Sequence, residues 1–509
     1  MKPTLQEAKE ILRQDPSYRI IPVSTELYSD QATVISVLKK LKAVSNHCYL
    51  LESAEKTQKW GRYSFLGFDP SLCIAVADGH AVIRKTDLPL TQLQNGDRMN
   101  DADHISVTEC DTKDPASLIR EILKDYKSPK LKDLPPFTGG LCGYFSYDYI
   151  KYPEPVLDKP VPDEDGFMDI DLMLFEKVIC FDDYRKKIVL IVNIPAEDLE
   201  NNYKKAEEIL QNMKDLILKG NEIKNTGGHL LSPIKPYFEE DAYCNMIRKA
   251  KEYIIDGDIF QVVLSNRLSA PFEGSLLDTY RVLRTTNPSP YMFYFSGDEV
   301  EMAGASPETL VKLENGVLHT FPLAGTRPRG TTEAEDLRLA EELLKDEKEL
   351  AEHNMLVDLG RNDIGKISSF GTVSVESYME IQRYSHVMHI GSTVRGEIAP
   401  GRDALDAVDA ILPAGTLSGA PKIRACEIIA ELEECKRGIY GGAIGYIDFT
   451  GNLDTCIAIR LAFKKNGKVF IRSGAGIVAD SVPENEYREC INKAAAVVKA
   501  LEAAEGGIE

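Results

Sequence analysis

Two short acidic segments have the residue types and spacing of a divalent-cation site. The segment KELAEHN contains Glu349 and Glu352, and the segment PENEYRECINK contains Glu486 and Glu489. In each pair the residues are three positions apart, so on a helix they share one face. Carboxylates from two helices can form an all-oxygen site for Mg²⁺, with waters and substrate oxygens completing the coordination shell. The spacing alone is also typical of a solvated helix face.

Glycine-rich segments and one arginine indicate an anionic ligand. LAGTRPRG contains Gly325 and Thr326 close to two arginines, and SGAG contains Gly474 and Gly476 just before the last predicted helix. Backbone N–H groups in such turns can bind an anion, and glycine allows the anion to approach closely. Arg460, in a strand-like run, could bind a carboxylate through two hydrogen bonds. Each feature taken alone also fits an ordinary turn or a surface arginine.

The segment HVMHI contains two histidines, His386 and His389, whose side chains could exchange protons near neutral pH. For either one, the alternative is a packed core histidine. The sequence has no H-E-x-x-H zinc motif, no P-loop and no G-x-S-x-G nucleophile elbow. ATP use and α/β-hydrolase chemistry therefore have no support in the sequence.

The composition restricts the classes of partner. The chain has 509 residues, of which 43% are hydrophobic and 28% charged, and its formal net charge is -20. That charge disfavours nucleic acids and anionic membranes as partners, because both are polyanions. There is no apolar leader segment and no apolar stretch of the roughly 18 residues that a membrane span needs. The ten cysteines are scattered and form no C-x-x-C pair, so we expect reduced thiols and a cytoplasmic location.

The order of helices and strands predicts an α+β fold with large antiparallel sheets. Helices are predicted over residues 4–14, 198–219, 239–256, 337–354, 404–412, 422–434 and 483–503. Strands are predicted over residues 47–52, 72–76, 187–195, 259–264, 290–295, 310–313, 441–449, 455–463 and 468–472. Residues 96–115 are expected to form a loop. Residues 220–236 mix Gly, Asn, Ser and Pro and are predicted to link two regions.

Seven longer segments of the second half together resemble the chorismate-utilising enzymes. They are GASPETL, PLAGTRPRG, DEKELAEHNMLVDLGRNDIG, LPAGTLSGAPKIRA, IYGGAIGY, LDTCIAIR and SGAGIVADSVPENEYRECINKA. The resemblance as a whole spans about residues 239–500. In the first half, LLES and GRYSF look like the N-terminal region of anthranilate synthase large subunits. The resemblance implies an α+β fold of large antiparallel β-sheets packed as a sandwich with helices on the outside. It also implies a regulatory region over residues 1–230 and a chorismate-binding catalytic domain over residues 231–509.

The resemblance implies a binding role for each matching residue. Glu352 and Glu489 match metal ligands, with Glu349 and Glu486 beside them. The implied metal is Mg²⁺, which would bind the ring carboxylate of chorismate. The positions that match substrate contacts are Gly325, Thr326, Tyr440, Arg460, Gly474, Ala475, Gly476 and Lys493.

Three further residues match catalytic positions of the family. Glu308 matches the acid near the departing 4-hydroxyl, His389 matches a histidine associated with pyruvate elimination, and Thr416 lies in the same pocket. The implied reaction adds ammonia at C2 of chorismate while the 4-hydroxyl leaves as water. Loss of the C2 proton then expels pyruvate and leaves anthranilate, at the first committed step of tryptophan biosynthesis.

Two positions separate the branches of this family. Aminodeoxychorismate synthases typically carry a lysine whose amine attacks C2, and the matching residue is Ala324. Isochorismate and salicylate synthases typically use a lysine to activate water, and the matching residue is Gln261. With neither amine present, direct addition of ammonia remains. The alternatives are an aminodeoxychorismate synthase subunit that lost its lysine and a catalytically inactive tryptophan-binding regulator.

The chain has no ammonia source of its own. A glutamine amidotransferase needs a nucleophilic cysteine in an elbow of the form G-x-C-x-G. The nearest string, GLCGY around Cys142, lacks the second glycine at the required place, so Cys142 is expected to be a core residue. The implied partner is a separate glutamine amidotransferase subunit, anthranilate synthase component II.

The segments NPSPYMFYF and LLES resemble the tryptophan-binding elements of anthranilate synthases. The positions that match contacts of the feedback inhibitor L-tryptophan are Glu52, Ser53, Pro290, Tyr291 and Met292. For Pro-Tyr-Met, the alternative is a plain core strand. Because the matching residues come from both regions, the resemblance implies an inhibitor site between them.

Overall fold

The fold is described for residues 1–54, 61–88, 102–224, 226–384, 387–505 and 507–508 of a computed structural model. Its α-helices are α1 (Leu5–Gln14), α2 (Val34–Lys42), α3 (Pro115–Leu123), α4 (Leu199–Lys219), α5 (Glu240–Ile255), α6 (Leu277–Thr286), α7 (Glu333–Leu343), α8 (Glu347–Gly365), α9 (Ala404–Ile411), α10 (Lys422–Glu433) and α11 (Pro483–Ala503). Within these ranges, no helix has both the length and the apolar character needed to cross a membrane.

The strands follow one another in chain order. Those of the first half are β1 (Ile20–Tyr28), β2 (Cys48–Glu52), β3 (Tyr63–Phe68), β4 (Leu72–Ala77), β5 (His80–Thr86), β6 (Ile105–Asp111), β7 (Gly140–Phe145), β8 (Ile170–Phe175), β9 (Lys177–Asp182), β10 (Lys187–Pro195), β11 (Gly228–Leu230) and β12 (Lys235–Pro236). Those of the second half are β13 (Gln261–Gly274), β14 (Tyr291–Ser296), β15 (Glu301–Ser306), β16 (Thr309–Glu314), β17 (Val317–Thr320), β18 (Leu323–Pro328), β19 (Ser374–Arg383), β20 (Val387–Glu397), β21 (Gly419–Ala420), β22 (Ala443–Asp448), β23 (Leu453–Ile457), β24 (Leu461–Lys465) and β25 (Lys468–Ile477).

The strands form two large sheets with antiparallel pairing. The first sheet has the order β1-β10-β9-β3-β2-β14-β15-β24-β25-β13-β11, with β12 and β21 also paired to β13. The second sheet has the order β18-β20-β17-β16-β23-β22-β7-β8-β4-β5-β6, with β19 also paired to β20. The expected α+β fold with large antiparallel sheets is confirmed.

The two sheets pack face to face over an aromatic core. The rings of Tyr49 on β2 and Phe175 on β8 have centroids 4.7 Å apart, and this core joins buried residues of both sheets. Helices α2, α4, α6 and α11 cover the outer face of the first sheet. Helices α8 and α9 cover the outer face of the second sheet, together with α3. The architecture is therefore a sandwich with helices on the outside.

The two predicted regions are not separate in space. In the first sheet, β2 pairs with β14, so that Glu52 lies opposite Met292. In the second sheet, β7 pairs with β22. The predicted linker over residues 220–236 contains the short strands β11 and β12, both paired to β13. Each sheet therefore contains strands from both sides of residue 230, and the functional division there stays a prediction.

Four sequence predictions differ from the structure. The single helix predicted over residues 337–354 is two helices, because the Asp346 side chain caps the start of α8 by accepting from two backbone N–H groups. The strand predicted over residues 455–463 is two strands, because β23 ends at Ile457 and β24 begins at Leu461, just after Arg460. The predicted loop over residues 96–115 contains strand β6, and its first part lies outside the described residues. The strand predicted over residues 468–472 continues to Ile477.

Candidate active site

A cleft of about 1040 Å³ brings most of the predicted site residues together. Its walls include β13, β18, β20 and β25, and helices α8 and α11. All the predicted catalytic and metal-binding residues line it, and so do all the predicted substrate contacts except Ala475. These lining residues are Glu308, Gly325, Thr326, Glu349, Glu352, His389, Thr416, Tyr440, Arg460, Gly474, Gly476, Glu486, Glu489 and Lys493. His386 lies outside the described residues.

Glu308 is held in the cleft by a hydrogen bond from Thr416. The Thr416 hydroxyl, on the short turn Gly415–Leu417, donates to Glu308 Oε1 over 3.0 Å. Burial raises the pKa of Glu308 to about 7, although this hydrogen bond and the positive charges of Arg460 and Lys493 act to lower it. A carboxyl group with that pKa is partly protonated at neutral pH, as a general acid requires.

His389 is oriented by a bulge in the neighbouring strand β18. The pairing of β18 with β20 shifts register between Ala324 and Thr326, and Gly325 there has a left-handed φ of 66°. The carbonyl oxygen of Gly325 lies 2.8 Å from His389 Nδ1, so Nδ1–H is the donor and Nε2 keeps its lone pair. Burial, aided by the charge of Arg460, lowers the pKa of His389. The neutral imidazole can therefore accept a proton at Nε2.

Arg460 occupies a bend between β23 and β24, not the strand interior that the sequence predicts. Its backbone has a left-handed φ of 52°, and its carbonyl oxygen accepts from the Ala305 N–H over 3.1 Å. Within the described residues, its guanidinium makes no hydrogen bond or ion pair to protein. The group faces the cleft, and desolvation by the surrounding protein lowers its pKa. An unpaired guanidinium in this position can bind a carboxylate of the ligand.

Gly474 brings the backbone of β25 against the cleft. A Cβ atom at this position would lie 2.5 Å from the carbonyl oxygen of Leu264 and 3.0 Å from the hydroxyl of Tyr440. The Gly474 carbonyl accepts from Lys493 Nζ over 3.2 Å. Only glycine therefore fits beside Tyr440, whose buried ring also lines the cleft.

Ala475 is the one predicted substrate contact whose side chain does not line the cleft. The segment SGAG is part of strand β25, where the sequence analysis expected a turn. Side chains alternate along a strand, so Gly474 and Gly476 face the cleft and the Ala475 methyl packs into the core beneath helices α5 and α10. A substrate contact from Ala475 would therefore have to come from its backbone, and it stays a prediction.

The four glutamates of α8 and α11 form an acidic wall of the cleft. Burial raises the pKa of Glu352, and the nearby charges of Glu349 and Glu489 raise it further. Burial also raises the pKa of Glu486, and Glu489 adds to the effect. Within the described ranges, no three His, Cys, Asp or Glu side chains are gathered closely enough to hold an ion.

The chemistry of this acidic wall nevertheless fits Mg²⁺. All its donors are oxygens, which Mg²⁺ prefers, and this ion commonly uses one or two carboxylates with waters and substrate oxygens as its other ligands. The mutual repulsion that raises the pKa of Glu352 would be relieved by a cation. Glu352 and Glu489, with Glu349 and Glu486 beside them, could hold it.

The two positions that distinguish the branches of the chorismate-utilising enzymes both lie in the cleft wall. Ala324 is on β18 and Gln261 is at the start of β13, and each is more than nine-tenths buried. The amide of Gln261 packs against Gly476, where an added Cβ would lie 2.6 Å from Nε2. Neither side chain can supply an amine nucleophile or a base.

One cleft residue, Arg472, was not found by sequence reasoning. It is 2% exposed, lines the cleft beside Gly474 and donates to Glu433 Oε2 over 2.6 Å. Arg437 also binds Glu433, and its guanidinium donates to the Leu417 carbonyl over 2.6 Å. Arg472 and Gly474 are two residues apart on β25, so their side chains share one face of the strand. Arg472 could therefore have been found if β25 had been predicted at its full length.

The predicted tryptophan contacts cluster where β2 meets β14, as the pairing of Glu52 with Met292 shows. The Glu52 carboxylate is nearly buried and already bound: Arg284 donates two hydrogen bonds to it, over 2.6 and 3.0 Å. The Tyr291 hydroxyl donates to Asp454 over 2.8 Å, and Met292 packs in the core under α6. Ser53 and Pro290 are half-buried at the adjoining strand ends.

The chain belongs to the family of chorismate binding enzymes. The family's sequence model matches residues 46–499, which include the whole second sheet, the first sheet except β1, and every residue that lines the cleft. Among its members, the chain is similar over its whole length to proteins named anthranilate synthase component 1. The one from Acetivibrio thermocellus is 46% identical, with 99% of each chain covered. The one from Aquifex aeolicus is 45% identical, with 98% of each chain covered.

A solved structure has the same fold. Anthranilate synthase component I from Streptococcus pneumoniae superposes with a TM-score of 0.71 at 37% sequence identity. The superposition covers 87% of this chain and 93% of that one. Together with the sequence relatives, which cover 98–99% of the chain, this confirms the resemblance inferred from the motifs.

Proposed function

We propose that the chain converts chorismate and ammonia to anthranilate and pyruvate, as the large subunit of an anthranilate synthase. The observation that carries the proposal is the composition of the cleft. It combines an acid (Glu308), a neutral histidine (His389) and an unpaired guanidinium (Arg460) with no lysine at Ala324 or Gln261. Such a cleft can bind a dianion and transfer protons, and neither position that carries a reacting lysine in the other branches offers an amine. The nucleophile must therefore enter as a free molecule.

Glu308 acts in the amination step. Ammonia attacks C2 while the 4-hydroxyl departs, and the hydroxyl leaves as water only if it gains a proton. The protonated Glu308 carboxyl supplies this proton, and the hydroxyl of Thr416 stabilises the carboxylate that results. Arg460 binds a substrate carboxylate and holds C4 near the acid.

His389 acts in the elimination step. Loss of the C2 proton lets the enolpyruvyl group depart and makes the ring aromatic. The hydrogen bond of His389 Nδ1 to Gly325 fixes the tautomer with a free Nε2, and the lowered pKa keeps that atom unprotonated at neutral pH. Its geometry suits a group that accepts or relays this proton.

We propose Mg²⁺ as the cofactor, held by Glu352 and Glu489 with Glu349 and Glu486 beside them. When bound, it would neutralise the ring carboxylate of the substrate and fix its orientation. The raised pKa of Glu352 supports this assignment, because burial and the neighbouring charge of Glu349 disfavour its carboxylate, which a bound cation would stabilise. Arg460 would neutralise the second substrate carboxylate.

The ammonia would come from a separate glutamine amidotransferase subunit. Cys142, the nearest candidate for a glutamine-hydrolysing thiol, is fully buried in the core between the sheets. All ten cysteines are free thiols, which supports the proposal that the enzyme works in the reducing cytoplasm.

We also propose that L-tryptophan inhibits the enzyme by binding at Glu52, Ser53, Pro290, Tyr291 and Met292.

The proposed function is tested by giving the purified chain chorismate, Mg²⁺ and an ammonium salt at alkaline pH, where free ammonia is available. We expect anthranilate, detected by its fluorescence, together with pyruvate. Glutamine should replace ammonium only after an amidotransferase subunit is added. A para-substituted amine product would instead identify an aminodeoxychorismate synthase. An absence of turnover together with tryptophan binding would identify an inactive regulator.

A further inference from the structure

A second, much smaller cavity lies directly behind the acid Glu308. It has a volume of about 40 Å³ and shares Glu308, Thr416 and Leu356 with the large cleft. Its far wall is formed by Gly360 and Asp363 of α8. We call it the rear cavity. Glu308 and its hydrogen-bond partner Thr416 therefore border both the substrate cleft and the rear cavity.

The rear cavity is lined by a buried carboxylate, one oxygen of which makes no hydrogen bond to the part of the protein that the structure describes. Asp363 is 4% exposed, and its Oδ2 accepts from Lys422 Nζ over 2.7 Å. Its Oδ1 lies 3.7 Å from Lys366 Nζ and has no hydrogen-bond partner among the described residues. Buried polar atoms without a protein partner are usually bound to water. Thr320 adds a hydroxyl group to the lining, whereas the Thr309 hydroxyl lies 3.0 Å from the hydroxyl of Tyr291.

The size and the lining of the rear cavity select its occupant. A volume of about 40 Å³ is room for about three waters, since each needs roughly 10–15 Å³. Ammonia is equally small, but it is a base and would be held as ammonium between the carboxyl groups of Glu308 and Asp363. Ammonium has no lone pair for attack on C2. A route with two carboxyl groups therefore suits water and protons better than it suits the nucleophile.

Glu308 must regain a proton after every turnover. In the amination step its O–H proton moves to the departing 4-hydroxyl oxygen, the C4–O bond breaks, and water and a Glu308 carboxylate are left. The bound intermediate then covers the cleft side of the carboxylate. The rear cavity is then the remaining route by which a proton can reach this carboxylate. Its lining residues Thr320 and Gly360 are half-buried and lie toward the protein surface.

We propose that the rear cavity holds a short chain of waters that returns a proton to Glu308 after each turnover. One water donates its proton to a Glu308 oxygen and is reprotonated along the chain from bulk solvent, so no other reactant is needed. Asp363 Oδ1 and the Thr320 hydroxyl hold these waters in place. This proposal rests on the proposed function, because it assumes that Glu308 is the acid.

Two glycines of α8 provide a matched test. A Cβ atom at Gly360 would lie 3.1 Å from Thr320 Cγ2, at the wall of the rear cavity, whereas one at Gly365 would meet nothing within 4 Å. Alanine favours a helix more than glycine does, so neither Gly360→Ala nor Gly365→Ala should prevent folding. A third variant, Thr320→Val, keeps the volume of the side chain and removes its hydroxyl.

The variants are compared with saturating chorismate and Mg²⁺ at a fixed concentration of free ammonia, in H₂O and in D₂O. For Gly360→Ala we expect kcat to fall about tenfold, which is a fraction of the rate enhancement that a general acid contributes. The KM for chorismate should stay unchanged, and the solvent isotope effect on kcat should increase. Thr320→Val should change both quantities in the same direction. Gly365→Ala should match the parent.

Two results would overturn the assignment of the rear cavity. In the first, Gly360→Ala and Thr320→Val both show the same kcat and the same solvent isotope effect as Gly365→Ala. The other is a loss by Gly360→Ala only when glutamine and an amidotransferase subunit supply the nitrogen, because the cavity would then be the ammonia route. If the parent itself makes no anthranilate from ammonium, the proposed function fails, which is a separate result.

Discussion

Lys493 Nζ lies 2.7 Å from Glu489 Oε1, one helical turn away on α11. The same ammonium group donates to the Gly474 carbonyl over 3.2 Å. The carboxylate proposed to bind Mg²⁺ is therefore paired with a lysine of the chain itself. Binding of a metal at Glu489 would release Lys493 toward the substrate, so the two binding events should be linked.

Replacing Glu352 or Glu489 by Gln should remove Mg²⁺-dependent turnover. Each change takes one carboxylate from the acidic wall, and we expect kcat/KM to fall by at least ~100-fold, equivalent to several kcal/mol of lost charge stabilisation. The matched control is Glu484→Gln on the same helix, whose carboxylate pairs with Arg248 at the surface. Rates near that of the control in both variants would contradict the metal assignment.

The activity should depend on pH through Glu308. Because its pKa is raised from 4.5 to about 7, the acid form is present below pH 7 and is lost as the pH rises through that value. At constant free ammonia, kcat should therefore fall above pH 7. Thr416→Val removes a hydrogen bond that lowers the pKa of Glu308, so this limb should move to higher pH. If the pH at which kcat falls is the same in Thr416→Val as in the parent, another group controls the decrease.

Introducing a lysine at Ala324 should decrease anthranilate formation. The residue is 9% exposed and its side chain borders the cleft, so a long amine there would crowd the ring and compete with ammonia for C2. Anthranilate is measured by fluorescence, and other chorismate-derived products by chromatography. An unchanged rate of anthranilate formation would mean that residue 324 does not border the bound substrate.

Ser53→Phe should relieve inhibition by tryptophan and leave uninhibited turnover largely intact. Ser53 follows directly on β2, and the N–H of the next residue, Ala54, donates to the Ser289 carbonyl over 3.0 Å. A phenyl ring here would occupy the space between the two strand ends. Tryptophan should raise the KM for chorismate in the parent, and chorismate should weaken tryptophan binding to the same degree. A variant as sensitive as the parent would place the inhibitor elsewhere.

Local signals allowed some elements to be predicted closely. The last helix was predicted over residues 483–503 and is observed over the same residues, because Pro483 at its first turn marks the start and helical periodicity defines its length. The break at Arg460 could not be predicted, since a left-handed φ at a residue other than glycine has no clear sequence signal. The extension of β25 was missed because glycines in SGAG are typical of turns.

The site residues were predicted from family motifs, and spacing alone would not have found them. Glu308, His389 and Arg460 lie far apart in the chain, and only long-range strand pairing brings them to one cleft. The rear cavity and the ion pairs of Arg472 and Arg437 with Glu433 depend on packing between elements. Such packing leaves no periodic pattern in the sequence.

The interleaving of early and late strands has a consequence for biogenesis. Glu52 lies opposite Met292, and Cys142 lies opposite Tyr446, so neither sheet can be completed until most of the chain has left the ribosome. Loops of this length must close before the pairing can stabilise them, which makes folding slow. Until then, the apolar strands β7 to β10 emerge with open edges and are prone to aggregate. The nascent chain should therefore depend on chaperones, and a fragment that ends near residue 230 should not fold independently.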